Sequence, residues 1–150
     1  MKKLRLYLSH TISIRKEVKQ WEYGIEHNYN IDLINPFYDL NKRENIERMD
    51  SNDNEIPYKF MNESIADDIV STDLKAIAES DGLVAYIKKP SFGTSMEIFY
   101  AKYVVNKPVY IYIEDHRLLR HPWLVKFSDS IYTSLIHLNK KLNSISNKLD

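Results

Sequence analysis

Hydrophobic residues along this chain fall into short runs that alternate with longer amphipathic segments, a pattern typical of β-strands interleaved with α-helices. The short apolar runs predict strands at Leu4–Ser9, Ile31–Ile34, residues 83–87 and Val109–Ile113, and a short fifth strand at Ser130–Tyr132. The amphipathic segments predict helices at residues 15–27, 62–79, 96–105 and 135–149. This order predicts one α/β domain over residues 1–150, a flavodoxin-like or Rossmann-like three-layer sandwich with a mostly parallel central sheet of about five strands.

Two segments do not follow this pattern. Residues 39–57 are charged and rich in asparagine, which predicts a long loop or a partly ordered flap. Residues 117–128, which contain the sequence HPWL, are expected to form a connector. Long loops inside compact domains are often functional, so residues 39–57 are a candidate lid over a site.

The composition narrows the choice of partner. Lysine plus arginine and aspartate plus glutamate number 21 each, so no net charge favours a nucleic acid polymer or an anionic membrane. A small molecule or a protein is the expected partner. No apolar run approaches the ~20 residues of a membrane span. The N-terminal apolar stretch is too short for a secretory signal, so a cytoplasmic location is expected.

Cysteine and glycine usage excludes several chemistries. The chain has no cysteine, which rules out disulfides, thiolate metal sites and a cysteine nucleophile. Its 3 glycines, Gly24, Gly82 and Gly93, cannot build a dinucleotide fingerprint or a P-loop. Classical dehydrogenases and kinases are therefore excluded.

Glu97 is the first candidate for chemistry. It follows a buried strand and the loop PSFGTS, and ligands of parallel α/β sheets bind beyond the carboxyl ends of the strands. A carboxylate in the first turn of a helix is also kept ionised by the helix dipole. However, residues 94–97 fit a capping box, in which Thr94 caps the helix and Glu97 bonds back to the cap. Both interpretations remain open on sequence alone.

Asp73 and Tyr7 are further candidates. Asp73 interrupts an apolar helical stripe formed by Ile65, Ile69 and Ile77, so it either finds a donor in the core, opens into a site, or turns towards solvent. Tyr7 lies near the carboxyl end of the first strand. It faces a site there or is one of the chain's 11 tyrosines that serve as ordinary core or surface aromatics.

A group of hydroxyl and cationic side chains follows the predicted strands. Thr11, Ser13 and Arg15 come after the first strand, and Ser91 follows the third. Hydroxyl groups and a guanidinium at strand ends can hold an anion such as phosphate. Such residues are also common in loops that bind nothing.

Three segments, YLSHTISIR, TDLKAIAESDGLVAYI and PSFGTSMEIFYAKYVVNKPVYI, resemble the nucleoside 2-deoxyribosyltransferase family, including its branch of 2'-deoxynucleoside 5'-phosphate N-hydrolases. The resemblance covers most of residues 7–113 in order and spacing. Its most specific element is GT-x-x-E-x-x-x-A, which runs from Gly93 through Glu97 to Ala101.

The resemblance implies a catalytic set. Glu97 matches the nucleophile that attacks the anomeric carbon of deoxyribose and forms a glycosyl-enzyme intermediate. Tyr7 matches the residue that positions this carboxylate, and Asp73 the one that contacts a sugar hydroxyl or assists proton transfer. An anionic carboxylate stabilises the oxocarbenium-like charge that develops as the base leaves, and then captures the sugar carbon. This chemistry needs no metal or other cofactor.

The resemblance also implies how the substrate is held. Many of the transferases carry an aspartate, which binds the free 5'-hydroxyl, where this chain has Ser91, and the nucleotide hydrolases have a serine that receives the 5'-phosphate. A serine does not repel phosphate, which favours a 5'-monophosphate. The implied substrate-binding residues are Ser91, Gly93, Thr94, Thr11, Ser13, Arg15 and, lent by a neighbouring subunit, His121. A borrowed residue implies a homo-oligomer with shared active sites.

The function expected from this resemblance is cleavage of the N-glycosidic bond of a nucleoside or nucleotide, with the deoxyribosyl group passed to water or to another base. Two alternatives remain. One is an NAD-type glycohydrolase, and the other is a nucleotide-binding or sensing module without catalysis.

Overall fold

Five strands form one parallel sheet in the computed structural model, which describes residues 2–50 and 58–149. The strands are β1 (Leu4–Ser9), β2 (Ile31–Ile34), β3 (Gly82–Ile87), β4 (Val109–Ile113) and β5 (Ser130–Tyr132). Their order across the sheet is β2-β1-β3-β4-β5, and every neighbouring pair is parallel. This is the flavodoxin-like order, in which the crevice lies where the chain turns to opposite sides, between β1 and β3.

Helices cover both faces of the sheet. They are α1 (Arg15–Asn28), α2 (Arg43–Met49), α3 (Glu63–Glu79), α4 (Phe92–Phe99), α5 (Pro122–Lys126) and α6 (Leu135–Ser146). One core cluster joins α1 and α6 to residues such as Leu6 and Leu8 of β1. The other joins α3 and α4 to Tyr7 of β1 and to alternate residues of β3 and β4. The predicted three-layer sandwich is confirmed.

The central strands are apolar because both of their faces are covered by helices. All six residues of β3 are buried. The first of them, Gly82, lies so close to the next strand that an added Cβ would be 2.9 Å from the carbonyl oxygen of Pro108. Only glycine fits there without a shift of the backbone.

The start of α4 differs from the prediction. The helix begins at Phe92 rather than Met96, and its cap is Ser91, whose Oγ accepts a hydrogen bond of 3.3 Å from the amide of Thr94. The proposed capping box of Thr94 and Glu97 is therefore wrong. Ser91 has extended backbone and caps the helix, so α4 starts two residues before Thr94. A π-helical turn at Tyr100–Val104 then ends the segment.

The two segments predicted to be irregular contain short helices. In the first, a π-helical turn at Pro36–Leu40 precedes α2, and residues 51–57 lie outside the described part. A polar contact helps to anchor α2, because the buried Asn45 donates a bond of 3.0 Å to Asp68 of α3. The connector after β4 contains α5, which starts at Pro122.

Within residues 2–50 and 58–149, no helix combines the length and the apolar character needed to cross a lipid bilayer.

Candidate active site

Both oxygens of the Glu97 carboxyl group are held by side chains of β1. The hydroxyl of Tyr7 donates to Oε2, and the Oγ of Ser9 donates to Oε1 at 2.8 Å. Tyr7 and Ser9 are two residues apart and therefore lie on the same face of β1. The carboxyl group is thus held in its direction by β1, although Glu97 itself lies on α4.

Tyr7 is suited to act as a hydrogen-bond donor. Its side chain is fully buried, and this burial, together with the nearby charges of Glu97 and Asp73, raises the pKa of Tyr7 well above its ordinary value. The phenol therefore keeps its proton at physiological pH. It can hold a carboxylate in place without becoming charged itself.

Burial favours the uncharged form of the Glu97 carboxyl group. Desolvation of the carboxyl group raises the pKa of Glu97 to about 7, and the charge of Asp73 acts in the same direction, while the bonds from Tyr7 and Ser9 oppose it. The expectation that a helix dipole keeps this group fully ionised is wrong, because Glu97 lies in the second turn of α4, and burial dominates. A carboxylate with a pKa near 7 is more basic, and so a better nucleophile, than an exposed one.

Asp73 is partly buried, and its Oδ1 accepts a hydrogen bond of 3.1 Å from Nδ2 of Asn41. Burial raises the pKa of Asp73 to about 6, and the bond from Asn41 limits the rise. Of the alternatives left open by the sequence, the structure shows both a donor and an opening into a cavity. A carboxyl group with this pKa can accept or donate a proton near neutral pH.

A cavity of about 660 Å³ lies against Glu97, beyond the carboxyl ends of β1 and β3. It is large enough for a nucleotide-sized molecule. The candidate residues that line it are Thr11, Ser13, Asp73, Ser91, Gly93, Thr94 and Glu97. Tyr7 does not reach the wall and acts on the cavity through Glu97.

Arg15 and His121 are not among the described residues that line this cavity. The guanidinium of Arg15 is paired with Asp50, whose carboxyl group does line it, with Nη2 of Arg15 2.7 Å from Oδ2. His121 lines a second, smaller cavity of about 240 Å³, which also contacts Ser91 and Thr94. Within one subunit the structure therefore does not bring His121 to Glu97.

Gly93 and Thr94, the first two residues of the GT-x-x-E-x-x-x-A element, contribute in different ways. Thr94 is buried, and its Oγ1 has no hydrogen-bond partner among the described residues. Gly93 is exposed to the cavity, and an added Cβ would meet nothing within 4 Å. The protein's own backbone thus does not require glycine at this position.

Sequence reasoning missed Ser9, Asn41 and Asp50. Ser9 carries a usable signal, because it is two residues after Tyr7 on a predicted strand and so shares its face. Asn41 and Asp50 lie in the segment without periodicity, so no pattern could orient them.

Among residues 2–50 and 58–149, no cluster of three or more histidine, aspartate or glutamate side chains is placed to hold a metal ion.

Comparison with known proteins finds solved structures with a similar fold. No protein-family model matches the sequence, and no curated protein gives a significant match. Among solved structures, the chain is similar to a 2-deoxyribosyltransferase from Bacillus psychrosaccharolyticus, with a TM-score of 0.61 and 15% sequence identity, over 92% of this chain and 95% of that one. It is also similar to a CMP N-glycosidase, BcmB, of Clostridium botulinum, with a TM-score of 0.53 and 21% identity, over 93% of this chain and 98% of that one.

Both matches span nearly the whole of each chain, and at these identities they establish the fold. The fold implied by the resemblance to the nucleoside 2-deoxyribosyltransferase family is therefore confirmed.

Proposed function

We propose that this protein cleaves the N-glycosidic bond of 2'-deoxynucleosides, with their 5'-monophosphates as the preferred substrates. The observation that carries the proposal is the Glu97 carboxyl group, held by Tyr7 and Ser9 at the wall of a cavity that also contains Asp73. The similar solved structures are a 2-deoxyribosyltransferase and a CMP N-glycosidase, which supports the same class of reaction.

The proposed reaction has two steps. In the first, the ionised Glu97 attacks the anomeric carbon, the carbon–nitrogen bond breaks, and its electron pair leaves with the base. The base nitrogen takes up a proton, for which Asp73, with its pKa raised to about 6, is the proposed source. In the second, a water oxygen attacks the same carbon, gives its proton to the Asp73 carboxylate, and the bond to Glu97 breaks, which releases Glu97 as a carboxylate.

Tyr7 and Ser9 assist by fixing the direction of attack. Their bonds to both carboxyl oxygens prevent rotation of Glu97, so that little orientational freedom is lost when the substrate binds. Each bonded oxygen retains a lone pair for the sugar carbon. Tyr7 and Ser9 are positioning residues, and Glu97 is the nucleophile.

The preference for a 5'-monophosphate rests on the residues at the cavity wall near Ser91. Ser91 lies where many of the transferases carry an aspartate, which would repel a phosphate. Thr11 and Ser13, which also carry hydroxyl groups, line the same cavity. We further propose water rather than a free base as the main acceptor, because the same serine and hydroxyl pattern resembles the hydrolase branch.

Release of free base provides the test. The protein is incubated with deoxynucleosides and their 5'-monophosphates, with and without a second free base, and the products are separated by chromatography. We expect base release by the parent and none by Glu97→Gln, which keeps the shape of the side chain. Glu79→Gln, an exposed glutamate of α3, is the matched control and should retain full activity.

Other outcomes of this assay identify the alternatives. Release of nicotinamide from NAD, with no release from deoxynucleotides, would assign an NAD-type glycohydrolase. Tight binding of a nucleotide without release of base would assign a sensing module. Activity that survives in Glu97→Gln would remove the proposed mechanism.

We also propose that two or more copies share their active sites. The aromatic side chains of Tyr103 and Trp123 are exposed and both pack against Phe127, so they form an apolar surface next to His121. A second copy that covers this surface would bring a histidine to its neighbour's cavity. Light scattering should give a dimer or larger species for the parent, and Trp123→Glu should shift it to the monomer. A monomeric parent would contradict this proposal.

A further inference from the structure

The guanidinium of Arg15 is paired with a carboxylate from a distant part of the chain. Nη2 of Arg15 donates to Oδ2 of Asp50 at 2.7 Å and Nη1 donates to Oδ1 at 3.3 Å, while Nη1 also donates to the carbonyl oxygen of Ile12 at 3.0 Å. Arg15 is the first residue of α1, and Asp50 directly follows α2. The pair therefore joins the segment after β1 to α2.

Asp50, rather than Arg15, faces the cavity of Glu97. Asp50 is one of its lining residues, together with Ser13. The titratable side chains along the described part of the wall include three carboxyl groups, Asp50, Asp73 and Glu97, but no lysine or arginine. A phosphate that enters this cavity thus meets negative charges before it meets a cation.

A 5'-phosphate can bind well here only if Arg15 exchanges its partner. A phosphate offers a guanidinium the same two-pronged geometry as a carboxylate, with more charge. The Arg15–Asp50 pair is partly exposed to solvent, with 26% of the Arg15 side chain and 42% of the Asp50 side chain accessible. Pairs of this kind are weak enough for a ligand to displace.

We infer that Asp50 is a specificity-determining residue that competes with the substrate's 5'-phosphate for Arg15. This inference rests on the proposed function and deepens it. While Asp50 holds Arg15, the cavity favours 5'-monophosphates less strongly than it would if Arg15 were free to bind the phosphate. The residue thereby sets the balance between substrates with a 5'-phosphate and substrates with a 5'-hydroxyl.

The experiment compares kcat/KM for one deoxynucleoside and for its 5'-monophosphate. Asp50→Asn keeps the size of the side chain and removes its charge, so it should raise the ratio of nucleotide to nucleoside kcat/KM roughly fivefold, the value of a typical exposed ion pair. Arg15→Gln should lower the same ratio. In the Arg15→Gln background, the gain from Asp50→Asn should be clearly smaller, because the competition for the guanidinium is then gone.

A matched control separates this competition from a general loss of negative charge. Glu47 lies on α2, the helix that ends just before Asp50. It is exposed, and it pairs with Arg43 at 3.1 Å instead of with a residue at the cavity. Glu47→Gln removes one negative charge and should leave the ratio unchanged. Equal increases in Asp50→Asn and Glu47→Gln would overturn the inference.

Two further results would overturn it. One is an unchanged ratio in Asp50→Asn. The other is a larger loss of nucleoside turnover than of nucleotide turnover, which would make Asp50 a ligand of the 5'-hydroxyl instead. Asp50→Ser serves as a second variant, and circular dichroism verifies that each variant is folded.

Failure of the proposed function is distinguishable from failure of this inference. If the parent releases no base from any substrate, the proposed reaction is wrong, and the competition is then measured by calorimetric titration of a deoxynucleoside 5'-monophosphate. Tighter binding by Asp50→Asn than by the parent supports the inference. Equal binding by the two proteins overturns it.

Discussion

Ser9 donates a hydrogen bond of 2.8 Å to Oε1 of Glu97 from the face of β1 that also carries Tyr7. Because Tyr7 donates to Oε2, β1 holds both oxygens of a carboxyl group that belongs to a helix. Both donors are completely buried, so water does not compete for these bonds. The pair of bonds favours the ionised form of Glu97, against the effect of burial.

Loss of the Ser9 hydroxyl should therefore move the pH dependence of the reaction. In Ser9→Ala the pKa of Glu97 rises above its present value of about 7, because one of the two bonds that favour the carboxylate is gone. We expect the pH of half-maximal kcat to increase. At a pH below this midpoint, kcat should fall roughly tenfold, the effect of losing a hydrogen bond to a charged group. The measurement is a pH profile of kcat.

A buried serine elsewhere provides the control for this prediction. Ser146 of α6 is also buried, and its hydroxyl donates to the carbonyl oxygen of Asn143, far along the chain from the cavity residues. Ser146→Ala should leave the pH midpoint where it is. If the midpoint of Ser9→Ala also stays in place, the Ser9 bond does not tune Glu97.

The fold was largely predictable, because strands buried on both faces need near-continuous apolar runs. The runs that form β3 and β4 are of this kind, so their positions could be read from the chain. The start of α4 was harder to place. Ser91 and Thr94 are both residues that cap helices, and Glu97 follows Thr94 at capping-box spacing.

The site was predictable only where regular elements orient its side chains. Glu97 and Tyr7 lie on elements whose position relative to the sheet follows from the pattern, but the pairing of Arg15 with Asp50 spans 35 residues and depends on how α2 packs. The segment around α2 lacks an apolar stripe and is held by polar contacts such as Asn45 with Asp68. Local sequence carries no signal for such contacts.

The stability contributed by Glu97 and its ionisation as a nucleophile should respond to pH in opposite directions. The pKa of Glu97 is raised from 4.5 to about 7 on folding, so between these values the native state binds a proton that the unfolded chain releases. The stabilisation from the protonated group is fully present below pH 4.5 and is lost as the pH rises through about 7. The nucleophile must be ionised, so the part of the activity profile that reports Glu97 rises over the same interval near pH 7, while loss of the Asp73 proton near pH 6 limits activity at higher pH.

Glu97→Gln should consequently be more stable than the parent at pH 8, on the order of 2 kcal/mol in the free energy of unfolding. The gain should largely disappear at pH 4.5, where the parent's Glu97 is mostly neutral as well. Urea denaturation at the two pH values measures both quantities. Glu79→Gln, in an exposed position of α3, should show neither effect. A Glu97→Gln protein that is less stable at pH 8 would contradict burial as the cause of the raised pKa.

Asn41 should act on the reaction through Asp73. Its Nδ2 donates to Asp73 at 3.1 Å, and this bond favours the ionised form of the carboxyl group. In Asn41→Ala the pKa of Asp73 should rise above about 6, so the part of the kcat/KM profile that reports loss of the Asp73 proton should move to higher pH. Asn28→Ala is the control, since the side-chain amide of Asn28 donates to the carbonyl oxygen of Gly24 in its own helix. A lower rate with an unaltered pH profile would indicate a purely structural role for Asn41.

Gly93→Ala separates the needs of the fold from those of the substrate. No heavy atom lies within 4 Å of the added Cβ, and Gly93 is in the first turn of α4, where alanine is the better helix former. The variant should thus be as stable as the parent or slightly more stable in thermal unfolding. Because Gly93 lines the cavity, the new methyl group should crowd the substrate and raise KM roughly tenfold or more. Gly24→Ala, which also meets nothing within 4 Å but lies on α1, should leave KM unchanged. An unchanged KM in Gly93→Ala would mean that the substrate does not approach this turn closely, and that Gly93 has no part in binding.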